Sequence, residues 1–327
     1  MNKIIYISCP SSAYTGGPLA LHQLAYKLSM QNQNVYMLYY PKVKSPVHPN
    51  FKKFNLKYTF KMEDDKKNIL VIPETKTEVI FKYNNVKIVI WWLSVDNYLK
   101  NLGRYKPDSF KGAIKLIFEI IYNFIGNKKF SVNKKSHRNK EILHLAQSKY
   151  AFDFLVNFGL SPKNLHCYLL PEFKAKHKGV KKENVILYNP TKGKKITQKL
   201  ISFCPEFHFL PLTNMTPDEV KDKLLSAKIY IDFGNHPGRD RFPREAVSLG
   251  CCIITGTKGA AKNDFDVCIP REYKFNNPIV EKTKIKVLLH DILENFEDHT
   301  SNFSDYRKII EKEEAVFEQE INLFSNL

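Results

Sequence analysis

With 327 residues and 43% hydrophobic content, the chain is long enough for two globular domains of ~100–200 residues, each with a substantial core. The net charge of +18 calls for an anionic partner, whether nucleic acid, an anionic membrane or a phosphorylated substrate, and does not choose among them. Six cysteines without a C-x-x-C pair argue against zinc and against a disulfide framework, and suit a reducing cytoplasm, while no run approaches the ~20 apolar residues of a membrane span.

The opening "MNKIIYISCP" moves directly into a strand, without the basic region, apolar stretch and small-residue cleavage site of a secretory signal. "KIIYISC" (3–9) reads as a strand and "PLALHQLAYKLSM" (18–30) as an amphipathic helix. Further strands are predicted at 34–40, 68–74, 87–95 and 142–148, as near-continuous apolar runs expected of parallel strands covered on both faces. A lysine-rich stretch, "KAKHKGVKKEN" (174–184), precedes a second series at 185–190, 207–212, 228–234 and 251–256. The charged segment 306–324 has helical spacing. Two successive βαβ series predict an α/β protein of two doubly wound, Rossmann-like domains facing a cleft, over 1–172 and 173–305. Residues 306–327 form a C-terminal helix that would pack back toward the first domain. Ligands in such sheets bind at the carboxyl ends of the strands, where every candidate below falls.

After the first strand, Gly16-Gly17 would let backbone approach a ligand at the start of a helix, although the same pair also serves as a plain helix-starting turn. The loop lacks G-x-G-x-x-G, which argues against a nicotinamide cofactor. In "WWLSVDNY" (91–98), Asp96 is a candidate general base or sugar ligand, with Ser94 and Asn97 beside it; the alternative is a helix cap or turn. In "YNPTKGKKIT" (188–197), Lys192, Lys194 and Lys195 stand where a diphosphate would need cations, or are a solvated cluster. The run "GNHPGRDRFPREA" (234–246) is denser in charge than a connecting loop requires. Gly238 permits close approach, Arg239 and Arg241 can grip phosphate, and Glu245 can accept the hydroxyls of a ribose. Pairing of Asp240 with Arg241 or Arg244 is the structural alternative. Lys258 and Gly259 follow the next strand and would adjoin that loop.

These places in order resemble a GT-B glycosyltransferase, of the family 4-like bacterial kind that builds surface polysaccharide such as lipopolysaccharide or capsule. "TGGPLALHQLAYKL", "HLAQSKYAFDFLVNFGL", "YNPTKGKK" and "HPGRDRFPREAVSLGCCIITG" carry the resemblance. It implies donor binding in the second domain and acceptor binding in the first. It places Glu245 on the donor ribose, Lys192 or Lys194 on the diphosphate, and Gly16 and Gly17 near the donor phosphates and sugar. The family's paired glutamates stand eight positions apart, and the first would fall on Pro237 here; His236, Arg239 and Arg241 are the residues left to take its place. The resemblance implies no cofactor and no metal, and no Asp-x-Asp motif stands in a suitable loop. Arg241 and His236 then act on the leaving group, with Asp96 as base and Ser94 and Asn97 on the acceptor.

The segment 109–140 combines an apolar helix, whose narrow polar stripe is Lys111, Lys115, Glu119 and Asn123, with a basic tract from Lys128 to Lys140. Such a pairing suits a peripheral protein on the anionic inner face of the cytoplasmic membrane, and a lipid-linked saccharide acceptor would require it. A buried helix with a solvated loop is the other reading. Two rivals to transfer remain: a nucleotide-sugar epimerase of the same architecture, and a basic nucleic-acid-binding protein. The second lacks aromatics interleaved with basic residues on one face.

Overall fold

The computed structural model describes residues 3–102, 130–132, 134, 141–174 and 179–327. Most of the 109–140 segment lies outside the described residues. The chain divides into two compact units, Met1–Cys167 with Val316–Leu327, and Tyr168–Ala315.

The first unit is built on a seven-stranded sheet in the order β3-β2-β1-β4-β5-β6-β7, and all its pairings are parallel. Its central strands are β1 (Ile5–Pro10), β2 (Val35–Tyr40), β4 (Ile69–Pro73), β5 (Lys87–Trp92) and β6 (Ile142–Ala146). Two-residue strands, β3 (Tyr58–Thr59) and β7 (Lys163–Asn164), close its edges. β4 is buried at every residue, as its unbroken ILVIP run requires of a strand covered on both faces. β1 lies between β2 and β4, in register Ile5↔Val35 and Ile5↔Ile69. The chain therefore leaves β1 toward one edge and returns at β4 on its other side, so the switch point lies between the ends of β1 and β4. The helix α1 (Gly16–Met30) follows β1. Its N-cap Thr15 makes no side-chain capping bond and its first turn holds no acidic residue, which leaves those N–H groups to other partners. Ser94 caps helix α2 (Val95–Asn101), and Ser148 caps α3 (Lys149–Asn157).

The second unit has a five-stranded parallel sheet in the order β12-β11-β10-β8-β9. Its strands are β8 (Glu183–Tyr188), β9 (His208–Pro211), β10 (Ala227–Asp232), β11 (Cys252–Gly256) and β12 (Lys274–Phe275). Here the switch point lies between β8 and β10. Helices α4 (Lys194–Phe203), α5 (Pro217–Ser226) and α6 (Arg241–Ser248) alternate with these strands. Helix α5 opens with a full capping box, in which Thr216 and Glu219 satisfy each other's backbone N–H. Helices α7 (Lys282–Glu294), α8 (Phe296–Ser301) and α9 (Ser304–Glu320) end the chain with a 3-10 turn over Ile321–Asn326. Residues after Ala315 belong to the first unit. There Glu318 pairs with Lys27 at 2.6 Å, Glu320 with His166 at 2.6 Å, and Phe317 packs on Trp91.

Six free cysteines are present, and all except Cys268 are buried. Among the described residues, no helix is long and apolar enough to cross a membrane.

Candidate functional site

The loops after β8 and β10 meet at the switch point of the second sheet. Their backbones touch: a Cβ on Gly193 would stand 2.8 Å from the Gly234 amide nitrogen and from the Phe233 carbonyl carbon, and Gly193 has φ +61°. Only glycine meets both conditions without strain. The contact sets Lys192 beside the loop after β10, where its Nζ donates to Asp240 Oδ2.

That carboxylate belongs to a chain of charges. The His236 ring is fully buried, with Nδ1 3.1 Å from Asp240 Oδ2 and Nε2 3.8 Å from Asp232 Oδ1. The second is too long for a hydrogen bond and the first does not form one, so both ring nitrogens are buried without a hydrogen-bond partner and the contacts are ionic. Burial opposes a charged imidazole, but Asp232 and Asp240 outweigh it and raise the pKa of His236 above its ordinary value. Burial likewise opposes charge on Asp240, and there His236 and Lys192 prevail, holding its carboxyl below the usual range. Asp232, the last residue of β10, also accepts from the Gly234 N–H at 2.9 Å. Asp232, His236 and Asp240 lie close enough together to be weighed as a metal site. However, the imidazole stands between the two carboxylates, one on each ring nitrogen, and the Lys192 ammonium already sits on Asp240. That is the arrangement of a compensated ion network.

Three arginines of this loop divide by role. Arg239 and Arg244 turn inward onto one carboxylate, Glu313 of α9, with Nη2 to Oε1 at 2.9 Å and Nη1 to Oε2 at 2.8 Å. Arg244 also donates to the carbonyls of Asp240 and Arg239, which knits the turn together. The guanidinium of Arg239, expected on phosphate, is thus engaged within the fold. Arg241 stays partly exposed, and its Nε contacts Glu245 Oε1 at 2.9 Å one helical turn on. Glu245 is buried, and its Oε2 has no hydrogen-bond partner. Burial pushes its carboxyl up, against the pull of Arg241 and Arg244. Thr255 Oγ1, near the end of β11, is also buried and unpartnered.

The loop after β11 lies against the loop after β10. His236 and Gly259 pair as an isolated parallel bridge, and the Ala260 N–H donates to the His236 carbonyl at 2.8 Å. Gly259 has φ +62°, and a Cβ there would stand 2.1 Å from that carbonyl oxygen, so no other residue fits. Gly238 is buried in the turn before Arg239, whereas Lys258 and Lys194 are exposed.

In the first unit the candidates separate. Gly16 is exposed with nothing within 4 Å of where its Cβ would be, and Gly17 would touch only Leu93. Ser94 accepts from the Asn97 N–H at 3.2 Å as the helix cap, and the Asn97 side chain is exposed. Asp96 is buried and accepts from Tyr150 Oη at 3.0 Å.

Sequence reading passed over three residues. Glu313 lies 69 positions from Arg244 and carries no local signal. Asp232 was legible as an acid ending the apolar run KIYID. Glu74 follows β4 at the first unit's switch point, fully enclosed, and its Oε2 accepts from the Leu93 N–H at 2.9 Å. Burial pushes its carboxyl up to about 7, although backbone N–H groups favour the charged form. The Asp264-Phe265-Asp266 triplet is turned elsewhere: Asp264 pairs with Lys274 at 2.7 Å and Asp266 accepts from Asn263 at 2.8 Å.

No family model matches the chain, and no curated protein matches it significantly. Solved structures do. The Anabaena protein HepE, in a crystal with UDP and glucose, superposes with a TM-score of 0.62 at 12% identity over 100% of both chains. Sucrose-phosphate synthase from Thermosynechococcus elongatus gives 0.64 at 10% identity, over 100% of this chain and 99% of that one. The T4 phage protein BGT, crystallised with UDP and Mn2+, gives 0.53 at 12% identity over 99% of both. At these identities the likeness is one of fold. The fold is the GT-B class, two Rossmann-like α/β units in succession.

Proposed function

We propose that the chain is a glycosyltransferase that moves a sugar from a nucleoside-diphosphate sugar to a saccharide or lipid-linked saccharide in surface polysaccharide synthesis. The observation that carries this reading is Glu245, a buried carboxylate beside the half-buried Arg241, with one oxygen that no protein group satisfies. A buried acceptor without a partner costs about 1–3 kcal/mol, and a ribose hydroxyl would remove that cost. Solved structures of the same fold hold UDP or UDP-glucose, which supports a nucleotide sugar as donor.

In this reading Glu245 accepts from the ribose, while Arg241 and Lys192 lie on the diphosphate. As the glycosidic bond to the diphosphate breaks, negative charge grows on the leaving oxygen. Cations already held in place stabilise it without reorganisation. His236, whose pKa Asp232 and Asp240 raise, acts through Asp240, which it helps to hold beside Lys192. Arg239 acts through Glu313 by holding the turn that presents Arg241. Gly16 and Gly17, at an uncapped helix start, suit a donor phosphate or sugar. Ser94 and Asn97 remain candidates for the acceptor. The reading assigns no metal to the step, so activity is expected to survive chelation by EDTA. We further propose that the basic, apolar run over 109–140 brings the chain to the cytoplasmic face of an anionic membrane, where a lipid-linked acceptor would be presented.

The test is thermal stability against UDP, GDP, dTDP, ADP and CMP. One diphosphate at 100 times its dissociation constant should add about 2.7 kcal/mol. The gain should vanish in Arg241→Ala and in Glu245→Gln. Absence of any shift, with and without a saccharide acceptor present, removes the reading.

A further inference from the structure

We propose that the second unit carries a docking surface for an anionic lipid bilayer, formed by the ridge over residues 278–284. The inference does not rest on glycosyl transfer and concerns residues other than 109–140. The ridge joins β12 to helix α7. Its crest is aliphatic: Ile279 is 39% exposed, Val280 76%, and Val287, on the helix that follows, 64%. Isolated exposed aliphatic residues are ordinary; here Ile279 and Val280 are adjacent on the crest, and Val287 lines the groove beside it. The crest is held in place, because Asn277 N–H donates to Glu281 Oε2 at 2.9 Å and Glu281 N–H returns to the Asn277 carbonyl at 2.9 Å.

Charge surrounds this crest unevenly. On one side a groove of about 630 Å³ separates it from helix α4. Lys195, Lys199 and Lys282 line that groove, and among its described lining residues there is no carboxylate. Its floor is apolar, and the Lys282 ammonium lies 4.2 Å from the centre of the Phe203 ring. On the other side a groove of about 580 Å³ mixes Arg271 and Lys284 with Glu272, Glu281 and Asp291. The cationic groove and the aliphatic crest together select the occupant. A free phosphate would use the lysines but leave the crest in water. A bilayer of acidic lipid takes both, with headgroup phosphates on Lys195, Lys199 and Lys282 and the aliphatic tips at the acyl boundary.

The full-length chain carrying Val280→Trp provides a local probe, because Trp91 and Trp92 are fully buried and form a constant background. Phosphatidylglycerol vesicles should shift the added emission to the blue and shield it from an aqueous quencher, while phosphatidylcholine vesicles should not. Adding Lys199→Glu and Lys282→Glu should weaken partition at least about twentyfold, from the loss of roughly fivefold per lysine. Three outcomes overturn the proposal. Vesicle sedimentation without a change at position 280 would place membrane contact elsewhere. The same shift from inorganic phosphate alone would make the groove an anion site. A shift that grows with protein concentration without lipid would mean that a second copy covers the ridge.

Discussion

At the strand ends of the first unit, the polar groups that attract notice in the sequence are used by the fold itself: Ser94 caps a helix and Asp96 takes a bond from Tyr150. At the strand ends of the second, Glu245 Oε2, Thr255 Oγ1 and both ring nitrogens of His236 are buried without hydrogen bonds. The fold compensates the His236 ring with Asp232 and Asp240, but it gives Glu245 Oε2 and Thr255 Oγ1 no partner, at about 1–3 kcal/mol each. Under the proposed function, the hydroxyls of a ligand would satisfy both. The contrast teaches that a chemically suggestive residue is weak evidence until its partners are known. Asp96 was a candidate base in the sequence, with a helix cap or turn as its alternative, and the structure gives its carboxylate a partner within the fold.

The largest expected effect tests which arginines point inward. Glu313→Ala strands two buried guanidinium groups and should cost about 3–5 kcal/mol in urea denaturation. A loss below about 1 kcal/mol would mean that Arg239 and Arg244 reach solvent and stand with Arg241 as ligands.

The first unit has one group that resists the contrast. Displacement of Glu74 from 4.5 to about 7 corresponds to on the order of 3 kcal/mol. Its folded pKa is raised, so the contribution to stability is complete below pH 4.5 and is lost as pH climbs toward 7. Glu74→Gln should therefore be more stable than the native chain above pH 7 and flatten the profile between pH 4.5 and 7, read by denaturation at each pH. An unchanged profile would show that Glu74 is charged in the fold.

Gly259→Ala sharpens the second unit's side. Its Cβ would collide with the His236 carbonyl, so a loss of roughly 2 kcal/mol is expected, together with weaker nucleotide binding by calorimetry. Retained binding would show that the bridge to His236 is not needed to shape the site. The smallest effect is expected from Asp96→Asn, about 1 kcal/mol, because an amide oxygen can still accept from Tyr150. If transfer to an acceptor fell by a thousandfold in this variant with the fold intact, the residue would be the base after all.

Much of the fold was legible. The run ILVIP is apolar at every position, and KIVIWW at every position after its exposed Lys87, because parallel strands with helices on both faces leave no wet side, and they appear as β4 and β5. The edge strands β3, β7 and β12 were not legible, since two residues carry no period. The site was legible only as a region. Charge density after β10 marked the loop, whereas Gly193, which reads as clearance for a ligand, and Gly259 meet neighbouring backbone instead. Direction was hidden: Arg239 in the loop and Arg241 at the start of α6 are two residues apart, yet one is closed on Glu313 and the other faces Glu245.

The sequence by itself determined the alternation of strands and helices and the two series, because these follow from local geometry and from which faces must be dry. Tertiary structure alone decided which charges were neutralised. An ion pair depends on a few ångströms between residues far apart in the chain, and Glu313 reaches Arg244 across 69 positions. No spacing rule spans that distance.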